Sequence, residues 1–196
     1  MDSMADYFKP VDPFSMQQDW VRKDFPELGY SLSLRPVYIP DDLRTLHRWI
    51  QDFDEKINTI ESGDQGRLLR HYKRILFSSW GQSFVVLSGK EIVCQFDLKG
   101  TGRDPLYFLI PTKVNDCVLT CLIPARSLTS KIWIAGLTLL LELFFNLSGS
   151  GYIFVSAPQY PHVFIHGLEE LGFKTYGEME EMNQPTILLF RANGIE

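Results

Sequence analysis

The sequence contains three cysteines, Cys94, Cys117 and Cys121, an odd number with no Cys-x-x-Cys pair and no histidine beside them. That excludes a disulfide framework and a structural zinc site, so no metal is expected and a cytoplasmic location is. No basic block is present, and a formal net charge of -5 gives no electrostatic reason to expect nucleic acid. Long apolar runs are also missing. The most apolar segment, Ile132 to Phe145 (IWIAGLTLLLELFF), holds Glu142 and falls short of the roughly 20 residues a membrane span needs. It predicts a buried core helix and no membrane partner. The opening MDSMADYFKPVDPF carries acids and prolines in place of the positive start and apolar run of a signal peptide. No internal repeat or low-complexity stretch is found.

The chain has 196 residues, 45% of them hydrophobic and 22% charged. This is ordinary globular composition, with enough apolar surface to close one core and a length that suits one domain. Residues 1–29 hold three of the eleven prolines and no sustained periodicity. They read as an N-terminal extension with a short helical piece at Ser15 to Lys23, and residues 30–196 read as the domain. Tyr30 to Val37 alternates Leu32 and Leu34 with polar residues, the period-two mark of a strand. Asp41 or Asp42 can cap a helix over 41–51, and Leu68, Leu69, Tyr72, Ile75 and Leu76 define a second amphipathic helix. Strands are then expected at Ser83 to Leu87, Ile92 to Leu98, Leu106 to Pro111 and Cys117 to Ile123. After these come the apolar helix from about Ser130, a strand at Tyr152 to Ser156, a helix at Val163 to Leu171 and a last strand at Thr186 to Arg191. The order βααββββαβαβ predicts an α/β (α+β) fold with a mixed, mostly antiparallel central sheet and helices on both faces.

LSLRPVYIPDDLRTLHRWI resembles the opening strand and helix of the siderophore-biosynthesis branch of the GNAT acyltransferase superfamily, through Leu-Arg-Pro, Asp-Leu and His-x-Trp. SWGQSFVVLSGKEIVCQFDLK is similar to that branch's next strands, with Gln95 in place. DPLYFL is similar to its Asp-then-aromatic segment, and SAPQYPHVFIHGLEELGFK to the stretch ending in Gly-Phe, here Gly172 and Phe173. The resemblance runs in order over about residues 30–191. It implies the GNAT acyl-CoA N-acyltransferase fold, acetyl-CoA or another acyl-CoA as co-substrate, and a small-molecule amine or hydroxylamine as acceptor. A hydroxylated lysine in siderophore biosynthesis is one such acceptor.

Acyl transfer from a thioester needs a pyrophosphate site, donors for the carbonyl oxygen and a proton acceptor. A helix N-terminus suits the first, which selects the loop Pro124, Ala125, Arg126, Ser127, Leu128, Thr129, Ser130 and Lys131. Arg126 matches the opening residue of the superfamily's phosphate pattern, whereas Thr129 and Lys131 fill its two small positions. The alternative is an ordinary helix cap by Thr129 or Ser130. Backbone donors for the carbonyl are expected around Leu122 and Ile123, where the superfamily splays its central strands. The branch's histidine on this strand aligns with Leu119.

Other candidates carry plainer alternatives. Asn115 and Asp116 fall where the branch has an acidic residue, although Asp116 also suits a turn. Gln95, with Asp97, lines the preceding strand. Tyr107 is placed beside the acceptor groove by the strand expected over 106–111. His162 is a coenzyme A contact or simply the start of a helix, and Leu168 stands where the superfamily has an acidic tyrosine. His166 follows His162 by one turn without a third ligand, while His47 and His71 read as surface or boundary residues on amphipathic helices. Exposed strand edges permit a homodimer. Two readings remain: an active N-acyltransferase, or a GNAT-fold binding or assembly module that has lost the reaction.

Overall fold

The computed structural model describes residues 17–52, 64–148, 151–157, 162–181 and 184–191. Its elements are β1 (Val21–Phe25), β2 (Tyr30–Pro36), α1 (Asp41–Asp52), α2 (Gln65–Leu76), β3 (Gly81–Ser88), β4 (Glu91–Gly100) and β5 (Cys117–Leu122). They continue with α3 (Ala125–Leu128), α4 (Ile132–Ser148), β6 (Ile153–Ala157), α5 (His162–Glu170), β7 (Lys174–Glu181) and β8 (Gln184–Arg191). The strands form one sheet in the order β1-β2-β3-β4-β5-β6-β8-β7. Neighbours are antiparallel except β5 and β6, which run parallel.

The apolar stripes decide which face each helix covers. Leu43, Leu46, Trp49 and Ile50 of α1 and Leu68, Tyr72 and Leu76 of α2 are buried together with Val85, Leu87 and Ile92 on one face of the sheet. On the other face, α4 and α5 bury Trp133, Leu137, Leu140, Phe144, Phe164 and Leu168 against Leu32, Leu34, Phe84, Phe96 and Leu119. Helices therefore cover both faces, as the element order requires. In α4 nearly every turn is apolar, yet among the described residues no helix is long and apolar enough to cross a membrane. Gly136 lets α4 lie close to the sheet, since a Cβ there would stand 3.0 Å from Cys94 Sγ and 3.1 Å from Val86.

Polar side chains set the two helix starts on the first face. The Asp64 carboxylate accepts from Gly66 N at 2.8 Å and caps α2. Asp42 is not a cap of that kind. Its oxygens take a two-point bond from Arg35, at 2.7 and 2.9 Å, and a third from Tyr38 N at 2.7 Å, which ties α1 to the end of β2.

Four sequence expectations are corrected. Val21 to Phe25, assigned to the N-terminal extension and in part to a short helix, form the edge strand β1. Val21 lies opposite Leu34 and Phe25 opposite Tyr30, so pairing with the open edge of β2 outweighs weak local preference. Residues 106–111 are not a strand. Pro105–Phe108 is a 3₁₀ turn whose entry is closed by Asp104 accepting from Leu106 N at 3.1 Å, and Leu106 and Ile110 turn inward at helical spacing. The Pro124 to Lys131 stretch, read as a loop, contains the one-turn helix α3, while the helix expected from about Ser130 begins at Ile132 as α4. The polar stretch KTYGEMEE, given no element, is the edge strand β7 on β8.

Candidate functional site

Along its whole length β5 pairs with β4, whereas it pairs with β6 at Cys117↔Ile153 and Val118↔Phe154 only. Beyond those two pairs β6 keeps its partner on the far side, β8, as far as Ala157↔Ile187. The sheet therefore opens into a V between Leu119–Leu122 and Val155–Ala157. The pairing of β5 with β6 ends at Val118, and an extended ligand entering the V would lie alongside β5 beyond that point.

The closed end of the V is bolted. Cys117 N donates to Tyr152 O at 2.8 Å, and Asp116 accepts from Tyr152 N at 2.8 Å and from Lys113 N at 2.6 Å. The backbone of Asn115 passes so near Gly151 that a Cβ there would stand 1.7 Å from Asn115 O. Asn115 and Asp116 thus lie at the paired end, with both carboxylate oxygens of Asp116 engaged by backbone N–H groups. Tyr107 also leaves this end of β4 and is 55% exposed on the 3₁₀ turn, beside Phe108. The strand that was to set it against a groove does not form.

The open end carries the remaining candidates. From Leu122 the chain runs through buried Ile123 and Pro124 into α3, then through Thr129, Ser130 and Lys131 into α4. Thr129 Oγ1 donates to Arg126 O and Ser130 Oγ to Ser127 O, both at 3.2 Å, so these hydroxyls bond back to the carbonyls of α3. Ser127 is buried and Leu128 packs on the core. Lys131 precedes α4, with Ala135 N donating to Lys131 O at 3.2 Å. The N–H groups of Ile132, Trp133 and Ile134 come before that first donor, at the positive end of a 17-residue helix.

Arg126 pairs with Glu91 at 2.7 Å and Lys131 with Glu170 at 3.2 Å. Both pairs are exposed and contribute on the order of 0–1 kcal/mol. Arg126 also borders a depression of about 430 Å³ that includes Arg48 and Lys90. Beside α4, Phe164 of α5 stacks on Trp133 at 5.0 Å. Because β5 and β6 are parallel, their C-terminal ends lie at the same end of the sheet; His162, exposed, is the first residue of α5. His166 pairs with Glu169 at 3.3 Å. No group of three His, Cys, Asp or Glu among the described residues is placed to hold a metal ion.

Register decides what faces the V. Leu119 and Cys121 point into the α4 core, so the position aligned with the branch histidine lies beneath the sheet. Thr120 and Leu122 point to the α1/α2 face, opposite Asp97 and Gln95 respectively. Asp97 is 2% exposed and anchors a network there. It accepts from Ser83 Oγ at 2.5 Å and Gln95 Nε2 at 2.6 Å on one oxygen, and faces His71 Nε2 at 3.0 Å on the other. Burial pushes its carboxyl up, but the His71 hydrogen bond and charge, Lys99 and Ser83 together hold it below the ordinary aspartate value. Of the two alternatives, His71 is therefore a boundary residue, its ring bonded to Asp97, and not a surface one. The available sequence signal is Asp97 itself, a carboxylate within the apolar strand IVCQFDL that must find partners once buried. Nearby, the buried Tyr72 hydroxyl has no hydrogen-bond partner among the described residues, and burial with the charges of Asp97 and Asp42 pushes its phenol up.

No family model and no curated protein matches the sequence. Solved structures do. An uncharacterised protein from Bacillus halodurans aligns with a TM-score of 0.75 at 17% identity, over 87% of this chain and 88% of that one. Spermidine N-acetyltransferase from Vibrio cholerae, solved with CoA and spermine, aligns at 0.67 and 17% identity, over 83% and 95%. The aminoglycoside acetyltransferase AAC(6')-Ib, solved with coenzyme A, aligns at 0.70 and 16%, over 82% and 94%. The chain has the mixed α/β fold of the GNAT acetyltransferases.

Proposed function

We propose that this protein is a coenzyme A-dependent N-acyltransferase acting on a small-molecule amine. The observation that carries the reading is the V between β5 and β6, which opens onto the loop leading into α4. Two solved neighbours are acetyltransferases named for spermidine and an aminoglycoside, both amines.

In this reading the pantetheine arm of acyl-CoA enters the V alongside β5, beyond Val118. The pyrophosphate takes the N–H groups at the start of α4, and Arg126 exchanges Glu91 for phosphate, an exchange that an exposed pair opposes only weakly. Backbone N–H groups near Leu122 and Ile123 receive the negative charge that develops on the thioester oxygen. His162 closes the same end. The acceptor approaches from the α1/α2 face, where Thr120 and Leu122 line the edge of the V and Gln95 lies one strand further in. A hydroxylated amine of the siderophore type is one acceptor this face would take.

Titration calorimetry of the full chain with acetyl-CoA tests the reading. Saturable binding at micromolar to submillimolar ligand is expected, and no heat of binding up to millimolar ligand would overturn it.

A further inference from the structure

We propose that His71, held by Asp97, is the group that takes the proton from the acceptor amine. The inference rests on the N-acyltransferase reading and assigns its proton acceptor to α2, away from the strand and loop positions considered so far.

The placement follows from register. Asp97 lies directly opposite Thr120, and Val118 is the last residue of β5 that pairs with β6. Asp97 is thus one strand spacing, about 5 Å, from the edge of the V near its apex. Its side chain shares the face on which an acceptor would approach. His71 stands over it from α2, and its side chain is 19% exposed while that of Asp97 is 3% exposed. An ionised carboxylate only accepts hydrogen bonds, so Nε2 of His71 donates to Asp97 and Nδ1 is left to receive a proton. Ser83 and Gln95 hold the other oxygen of Asp97, which fixes the carboxylate and through it the ring. Asp97 is a positioning residue and His71 the catalytic one.

The step balances without a further reactant. An acceptor arriving as R–NH₃⁺ gives one proton to His71 Nδ1. The freed lone pair forms the C–N bond while the C–S bond breaks, and the departing CoA sulfur takes the second proton of the amine. His71 then returns its proton to water through its exposed edge. The charged or titratable groups on this face about the dyad are Asp97 and Lys99 from β4 and Tyr72 beside the ring on α2, whose phenol also feels Asp42 of α1.

The test uses the full chain with acetyl-CoA and, in turn, spermidine, kanamycin and N6-hydroxylysine, following thiol release from pH 5 to 9. His71→Gln is expected to lower kcat/KM by about 100-fold or more at pH 7, to keep acetyl-CoA affinity within about twofold, and to flatten the acid limb of the pH profile. Added imidazole should restore part of the rate to His71→Ala. A histidine that merely braces α2 would lower thermal stability and leave the limb and the imidazole response unmoved. If wild type transfers and His71→Gln keeps its rate and limb, the dyad is overturned while the acyltransferase stands. If wild type transfers to none of the three amines, the catalytic role of His71 falls, and calorimetry with acetyl-CoA separately decides the coenzyme site. Where His71→Gln fails to fold, Asp97→Asn must displace the acid limb, and an unmoved limb overturns the proposal.

Discussion

Asp97, buried in the middle of a central strand, lies 3.0 Å from Nε2 of His71 on the helix above it, a link across 26 positions of sequence. The carboxylate is held below its ordinary value by that partner, Lys99 and Ser83 against the opposing effect of burial.

The first prediction concerns acid stability. A folded-state value below the unfolded one means that the unfolded chain binds the proton more tightly. The stabilisation from Asp97 is therefore fully present above about pH 4, the unfolded aspartate value, and is lost as pH falls through the folded value. Asp97→Asn should cost about 1–3 kcal/mol at neutral pH and flatten the fall in unfolding free energy between about pH 5 and 2. Urea melts across that range read both effects.

Glu91 and phosphate should compete for Arg126, which pairs with Glu91 at 2.7 Å. Releasing an exposed pair contributes at most about 1 kcal/mol, so Glu91→Gln should tighten acetyl-CoA binding by up to about fivefold at low salt. The gain should shrink as salt is added, and Arg126→Ala should weaken binding. Calorimetry at two ionic strengths measures all three, and unchanged affinity in both variants would remove Arg126 from the phosphate site.

Gly151→Ala should damage the closed end of the V, because its Cβ would stand 1.7 Å from the backbone oxygen of Asn115. The expected loss is about 2 kcal/mol or more, or about 4–8 °C in Tm for a chain of this size. Gly102→Ala, where a Cβ meets nothing within 4 Å, is the control and should change Tm little.

The three thiols should be inert in the native protein. Cys94, Cys117 and Cys121 are all free and buried, and burial pushes each well above the ordinary thiol value. A thiol-specific reagent at pH 8 is expected to modify none of them until the protein unfolds, and then all three. Rapid native modification would show the core to be open around them.

Much of the fold could be read locally. The apolar stripes of α1 and α2, the alternation in β2, and the buried character of α4 each follow from one stretch of chain and the period of its side chains. What escaped was of another kind. β1 and β7 are polar edge strands that exist because β2 and β8 offer them an edge. The turn at Pro105–Phe108 forms where an aromatic, apolar run had suggested a strand, because Asp104 and Pro105 start a helical turn.

The candidate site divides along the same line. The succession of a strand, the Pro124 to Lys131 loop and an apolar helix was legible, since each part lies within a short segment. The V was legible only through resemblance, because it is a failure of pairing between strands about thirty residues apart. Whether Leu119 or Thr120 faces it depends on register, where a shift of one residue exchanges core and groove. The meeting of His71 with Asp97 depends on a helix crossing a strand, and no local period encodes that. Local chemistry set the elements of this protein. The groove, the face that lines it and the buried dyad beside it arose only when distant segments were packed together.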